Sequence, residues 1–175
     1  MIRYQITNGR YSEDPAAWLR SLRDDVDFIQ IRERDLCARD LASVTTRVLS
    51  AVAAKVLVND RIDVAIACGA AGVHLRSCSV QPARVKALRG MIVTVACHDL
   101  SDLAHIDGAD FALLAPIFPP LSKDPDRPPL GLTALAEFTR ASPIPVLALG
   151  GVTPANAPAC LAAGAIGIAG ITLFS

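Results

Sequence analysis

Val146-Leu-Ala-Leu-Gly-Gly151, continued by Val152-Thr-Pro154 and then by Ala165-Ile-Gly-Ile-Ala-Gly170, is the stretch that decides how this chain folds. Val146 to Leu149 is a short apolar run, the pattern of a parallel strand covered on both faces. Gly150-Gly151 closes it with two residues that turn sharply and let backbone approach a ligand. Thr153 is placed as an N-cap with Pro154 at the first helical position, so a helix is expected to start at once. The second apolar run ends at Gly170 and leads into Ile171 and Thr172. Two successive strand ends, each leading to glycine and free N–H groups, make a cup for a phosphate. The same glycines would also serve if they only let helices pack closely on strands.

Upstream, the chain repeats that strand-then-helix unit. Strands are expected at 3–7, 26–32, 55–58, 72–75, 91–97, 110–115, 144–149 and 166–169. Helices are expected between them at 14–23, 36–53, 62–68, 81–88, 100–106, 132–139 and 154–163. The second is strongly amphipathic, with Leu41, Val44, Val48 and Leu49 at helical spacing, and Gly69 closes the third. Eight alternations without hairpin signals predict a parallel sheet, closed as a single (β/α)8 TIM barrel over residues 1–175. The sequence stops soon after strand eight, so the last helix is expected to be short or missing. A second subunit would shield that seam, which makes a homo-oligomer an expectation. The longest irregular stretch, 116–129, holds six prolines and Ser122-Lys123-Asp124 and is expected to be functional, as a lid or as a static rim.

Bulk properties narrow the partners. Lys plus Arg and Asp plus Glu number 17 each, so the formal net charge is zero and neither nucleic acid nor a charged membrane surface is indicated. No apolar run approaches a membrane span, and Met1-Ile-Arg-Tyr-Gln-Ile lacks the layout of a signal peptide. The five cysteines show no Cys-x-x-Cys spacing and read as reduced thiols of a cytoplasmic protein. Three scattered histidines do not make a metal centre.

In a barrel of this kind the C-terminal strand ends share one mouth. Read in order, those ends carry Gln30, Arg32 and Arg34, then Asn59 and Asp60, then Arg76 and Ser79. His98 and Asp99 follow, then Ser122 and Lys123, and finally Gly150, Gly151 and Thr172. Arg32, Arg34, Arg76 and Lys123 would gather four cations at one rim of a neutral protein, which suits a polyanion such as a diphosphate. Asp60 is the one obvious carboxylate for a magnesium ion bridging such a group. A solvated charged loop at 30–35 and a helix-capping pair at Asn59-Asp60 are the plainer alternatives. His74, inside a strand, reads as a core histidine.

Gln30-Ile-Arg-Glu-Arg-Asp35, Val58-Asn-Asp-Arg61, Gly72-Val-His-Leu75, Pro116-Ile-Phe-Pro119 with Ser122-Lys123, and Leu149-Gly-Gly-Val152 together resemble the thiamine phosphate synthase family, which includes the thiazole tautomerases. The resemblance runs from about Tyr4 to Thr172. It implies a transferase that joins an aminopyrimidine methyl diphosphate to a thiazole phosphate and releases diphosphate with help from Mg2+. It implies that Gln30, Arg32, Arg34, Asn59 and Lys123 hold the pyrimidine diphosphate, Arg32 and Lys123 carrying the catalytic charge, and that Asp60 is a magnesium ligand. Pro120, Leu121 and Ser122, with Gly150, Gly151, Ile171 and Thr172, would surround the thiazole phosphate.

Besides Arg34, which stands where the family usually has lysine and keeps the charge, five positions depart from the family pattern. Ser79 stands where the second magnesium carboxylate is expected, and Arg76 stands where a glycine is expected. Arg76 would replace some of the lost metal charge. Ala96 replaces a pyrimidine-contacting serine and Pro120 a threonine. Pro116 takes the place of the tautomerases' acid/base histidine, leaving His98 as the nearest substitute. A thiazole phosphate isomerase and a catalytically degenerate phosphate-binding paralogue are the alternatives.

Overall fold

Strands of only four to six residues suffice here, because each is covered on both faces and the turns between elements are tight. The computed structural model describes residues 1–119 and 127–174. The strands are β1 (Ile2–Ile6), β2 (Phe28–Ile31), β3 (Lys55–Asn59), β4 (Gly72–Leu75), β5 (Ile92–Cys97), β6 (Phe111–Leu114), β7 (Val146–Leu149) and β8 (Gly167–Gly170). They pair in sequence order, all in parallel, and β1 closes on β8 with Tyr4 opposite Ala169. The expected eight-stranded barrel is what forms.

Alternation along the strands sorts the residues into two cores. Tyr4, Ile6, Phe28, Leu57, Leu113, Leu147 and Ala169 fill the barrel, with ring contacts from Tyr4 to Phe28 and from Phe28 to Phe111. Their neighbours Ile29, Val56, Val58, Val73, Val93, Leu114 and Ile168 face the outer layer. That layer comprises α1 (Pro15–Arg20), α2 (Ala38–Ala51), α3 (Ile62–Cys68), α4 (Pro82–Arg89), a 3-10 helix (Leu100–His105), α5 (Gly131–Ala141) and α6 (Ala157–Ala162). α2 buries Leu41, Val44, Thr45 and Val48, and Gly69 caps α3 in the left-handed conformation.

Some expected boundaries shift, each for a visible reason. α1 ends at Arg20 rather than at residue 23. The Gln5 side chain donates to the Ser21 carbonyl at 2.8 Å and accepts the Arg23 N–H at 2.9 Å, which pulls the chain off helical course. The helix expected at 100–106 is a 3-10 helix over Leu100–His105 with no buried residue, started by reciprocal Asp99–Asp102 capping. α6 begins at Ala157 and not at Pro154. Thr153 and Asn156 do cap each other, Thr153 N–H to Asn156 Oδ1 at 2.7 Å and Asn156 N–H to Thr153 Oγ1 at 3.3 Å, and a turn precedes the helix.

No helix follows β8 among the described residues. The chain's own Phe174 is buried there, with the Arg3 guanidinium 5.3 Å above its ring. No helix among the described residues is long and apolar enough to cross a membrane.

Candidate active site

The mouth holds a cavity of about 430 Å3, within the range of small-ligand sites. Gln30, Arg32, Arg34, Asn59 and Arg76 line it from β2, β3, β4 and the loops after them. Leu149, Gly150, Gly151, Ile171 and Thr172 line it from β7, β8 and their loops. The sequence-expected residues that the structure describes thus converge, apart from Asp60, Ser79 and Asp99, which stand in hollows beside the cavity. Pro120, Leu121, Ser122 and Lys123 lie outside the described residues.

Arg32 is held by its backbone. Its N–H donates to Thr7 Oγ1 at 2.8 Å, and that hydroxyl donates to Glu33 Oε1 at 2.7 Å. Glu33 is 5% exposed and also accepts from the Trp18 indole N–H at 2.8 Å and from the backbone N–H groups of Gly9 and Tyr11. The expected charged loop is therefore a loop clamped from below by a buried, four-donor carboxylate. Glu33 spends its charge on this clamp. Among the described residues, no carboxylate forms an ion pair with Arg32 or Arg34. Burial, and then the neighbouring Arg34 charge, loosen the hold of Arg32 on its proton. Two adjacent guanidinium groups with no ion-pair partner among the described residues suit an anion, although the Glu33 charge lies near Arg32.

Below them, proton bookkeeping fixes a buried chain. Gln30 Oε1 only accepts, so the Tyr4 hydroxyl must donate to it, at 3.1 Å. With that proton committed, Thr94 Oγ1 donates to the Tyr4 oxygen at 3.2 Å, and His74 Nδ1–H donates to Thr94 at 2.9 Å. At the far end Gln30 Nε2 donates to Asn59 Oδ1 at 2.9 Å. Asn59 therefore presents its NH2 group as a donor. His74 is buried and neutral, its pKa pushed down to about 4, chiefly by burial. The reading of His74 as a satisfied core histidine holds, yet it also lines the cavity floor. The signal was in the strand, since Val73 and Leu75 face outward and His74 between them must face in.

On the opposite side Gly150 and Gly151 adopt φ of +90° and +62°. A Cβ on Gly151 would lie 2.4 Å from the Pro119 oxygen, and one on Gly150 would lie 2.8 Å from Pro116 Cα. These glycines thus seat the loop after β6, whose Ile117 and Phe118 N–H groups donate to Leu149 and Gly150 carbonyls. Among the described residues, no acceptor engages the N–H groups of Gly151 and Val152, and both residues line the cavity. His98 Nδ1 donates to the Ala115 carbonyl at 2.8 Å, which leaves Nε2 as its acceptor.

Asp60 does not fit a metal as it stands. Its Oδ2 accepts from Arg76 Nε at 2.7 Å and also contacts Arg76 Nη2, while the Ser79 hydroxyl bonds to Oδ1. Both oxygens are engaged, and among the described residues no group of three His, Cys, Asp or Glu could hold a metal ion.

The model of the family described as thiamine monophosphate synthase matches residues 3–174. The chain belongs to this family. A putative thiamine-phosphate synthase of Geobacter sulfurreducens is 40% identical over 85% of this chain and 73% of its own length. Putative thiamine-phosphate synthase 2 of Aquifex aeolicus is 38% identical over 98% of this chain and 96% of its own. Among solved structures, a thiamine phosphate pyrophosphorylase from Pyrococcus furiosus superposes with a TM-score of 0.82 at 26% identity, covering 98% of this chain and 85% of that one. Family membership accounts for the barrel.

Proposed function

We propose that this family member is a thiamine phosphate synthase, a transferase that joins an aminopyrimidine methyl diphosphate to a thiazole phosphate. One observation carries the reading. A single cavity has two sides suited to oxyanions, the Arg32–Arg34 cations on one and the Gly151 and Val152 amides on the other, neither pair with a partner for those groups among the described residues.

The reaction needs charge stabilisation and placement more than a general base. The bond between the pyrimidine methylene and the diphosphate oxygen breaks, and its electron pair leaves with the diphosphate. Arg32 and Arg34 stand where that charge grows, while Asn59 donates to it through NH2. The ring-stabilised cation left behind takes the lone pair of the thiazole nitrogen, which closes the new C–N bond. The cup holds the thiazole phosphate in place for that step. Lys123, from the loop beyond the described residues, would add a further cation to the leaving group.

Pro116 offers no proton donor, so the isomerase alternative would have to work through His98 Nε2. Five free thiols support a cytoplasmic setting, and exposed Met1 and Ile166 beside the β1–β8 seam support self-association. Incubating the protein with both substrates, with and without Mg2+, tests the reading. Thiamine phosphate and diphosphate should appear in equal amounts. Tight thiazole phosphate binding without product would instead favour the degenerate binder.

A further inference from the structure

Arg76 lines the main cavity and also the neighbouring hollow that contains Asp60, so it stands between the carboxylate and the mouth. Asp60 has little freedom. Its backbone is left-handed at φ 58°, and its N–H is held by the His74 carbonyl at 2.8 Å. The turn after β4 is tied to the same point, Ser79 N–H donating to the Arg76 carbonyl at 3.0 Å and Arg76 N–H to Ser79 Oγ at 3.2 Å. A fixed carboxylate therefore receives a fixed hydroxyl on one oxygen and a guanidinium on the other. A divalent cation would have to displace both, and it would gain one carboxylate where it wants about six oxygen ligands. The guanidinium keeps N–H donors that Asp60 does not use, and its position on the cavity wall brings them to the mouth with Arg32 and Arg34.

We propose that Arg76, seated on Asp60, takes the place of a divalent cation, so that the diphosphate substrate is held by three arginines without metal. This rests on the synthase reading for the identity of the diphosphate ligand. It reverses the magnesium dependence that the family resemblance implies.

The test is calorimetric titration of the whole protein with inorganic diphosphate in EDTA. Wild type should bind, and Arg76→Ala should bind at least tenfold more weakly. Arg76 is 55% exposed, so truncating it should leave the fold intact, which circular dichroism would check. A double variant, Arg76→Gly with Ser79→Asp, frees Asp60 and adds a second carboxylate. It should take up Mn2+, seen as loss of the free-ion resonance signal, where wild type does not. Wild-type binding that requires Mg2+, unchanged binding by Arg76→Ala in EDTA, or Mn2+ uptake by wild type that Asp60→Asn abolishes would each overturn the proposal. Thiamine phosphate formed only with Mg2+ would sink this proposal and leave the synthase reading standing. Metal-free diphosphate binding without thiamine phosphate would do the reverse.

Discussion

On the β7–β8 side of the mouth the polar groups lining the cavity are backbone amides held by Gly150 and Gly151, whereas on the β2–β4 side they are the side chains of Arg32, Arg34, Asn59 and Arg76. The backbone side depends on left-handed conformations that favour glycine, and under the proposed function it would hold a phosphate whatever chemistry is done next to it. The side-chain side is set residue by residue, as the hold of Arg76 and Ser79 on Asp60 illustrates. Under the proposed function, the first side would set the class of ligand and the second what becomes of it.

If that division is right, the largest effect should follow from breaking the backbone side. Gly151→Ala places a Cβ against the Pro119 oxygen in a left-handed residue, so we expect a loss of about 3 kcal/mol in urea unfolding. Thiazole phosphate affinity should fall with it. A variant as stable as wild type would show that the loop after β6 needs no glycine seat. On the other side, Arg32→Ala should lower kcat/KM about 100-fold, equivalent to about 3 kcal/mol, by removing charge-assisted bonds to the leaving group. Its stability should hardly change, because the Arg32 guanidinium has no ion-pair partner among the described residues. His98→Ala should cost less than about tenfold in the same assay. Equal losses would overturn the assigned roles.

The same division explains what the sequence made legible. Local signals sufficed for Gly69 as a helix cap, for the stripe on α2, for the short β4 and for the Gly150-Gly151 turn. They also placed Gln30, Arg32, Arg34 and Asn59 at the mouth, since strand ends in a parallel barrel face one way. What escaped depends on partners far along the chain. Glu33 looked like part of a solvated run because Thr7, Gly9, Tyr11 and Trp18, which bury it, come from the previous unit. α1 ends early because Gln5, on β1, takes hold of its last turn. Arg76 reads in sequence as a mouth cation or as a salt-bridged surface residue, and its partner Asp60 at the neighbouring strand end is a contact that local signals do not give.

The buried floor gives a smaller effect, readable through pH. His74 has its pKa pushed down to about 4 in the folded protein, against roughly 6.5 in the unfolded chain. Above pH 6.5 it is neutral in both states and adds no pH dependence. Between 6.5 and 4 the unfolded chain binds the proton and the folded one does not, so stability falls as pH falls. Between pH 6.5 and 5 this single residue should remove about 2 kcal/mol. Urea unfolding at the two values should show that loss in wild type and little of it in His74→Asn. Identical slopes would mean that His74 is protonated in place and that burial does not hold it neutral.

Tyr4→Phe probes the same chain with the smallest expected change. Without the hydroxyl, Gln30 Oε1 and Thr94 Oγ1 each lose a buried partner, which should cost about 1 kcal/mol of stability. The functional consequence follows from orientation. Gln30 keeps Oε1 toward Tyr4 because only that atom can accept, and this in turn presents Nε2 to Asn59 and aims the Asn59 NH2 at the mouth. Once Gln30 can rotate, Asn59 is free to offer its carbonyl instead, a repulsive contact for a diphosphate. KM for the pyrimidine diphosphate should therefore rise about threefold, less than 1 kcal/mol, with kcat and KM for the thiazole phosphate unchanged. An equal rise for both substrates would point to general loosening of the barrel, because the cup on β7 and β8 receives nothing from Tyr4.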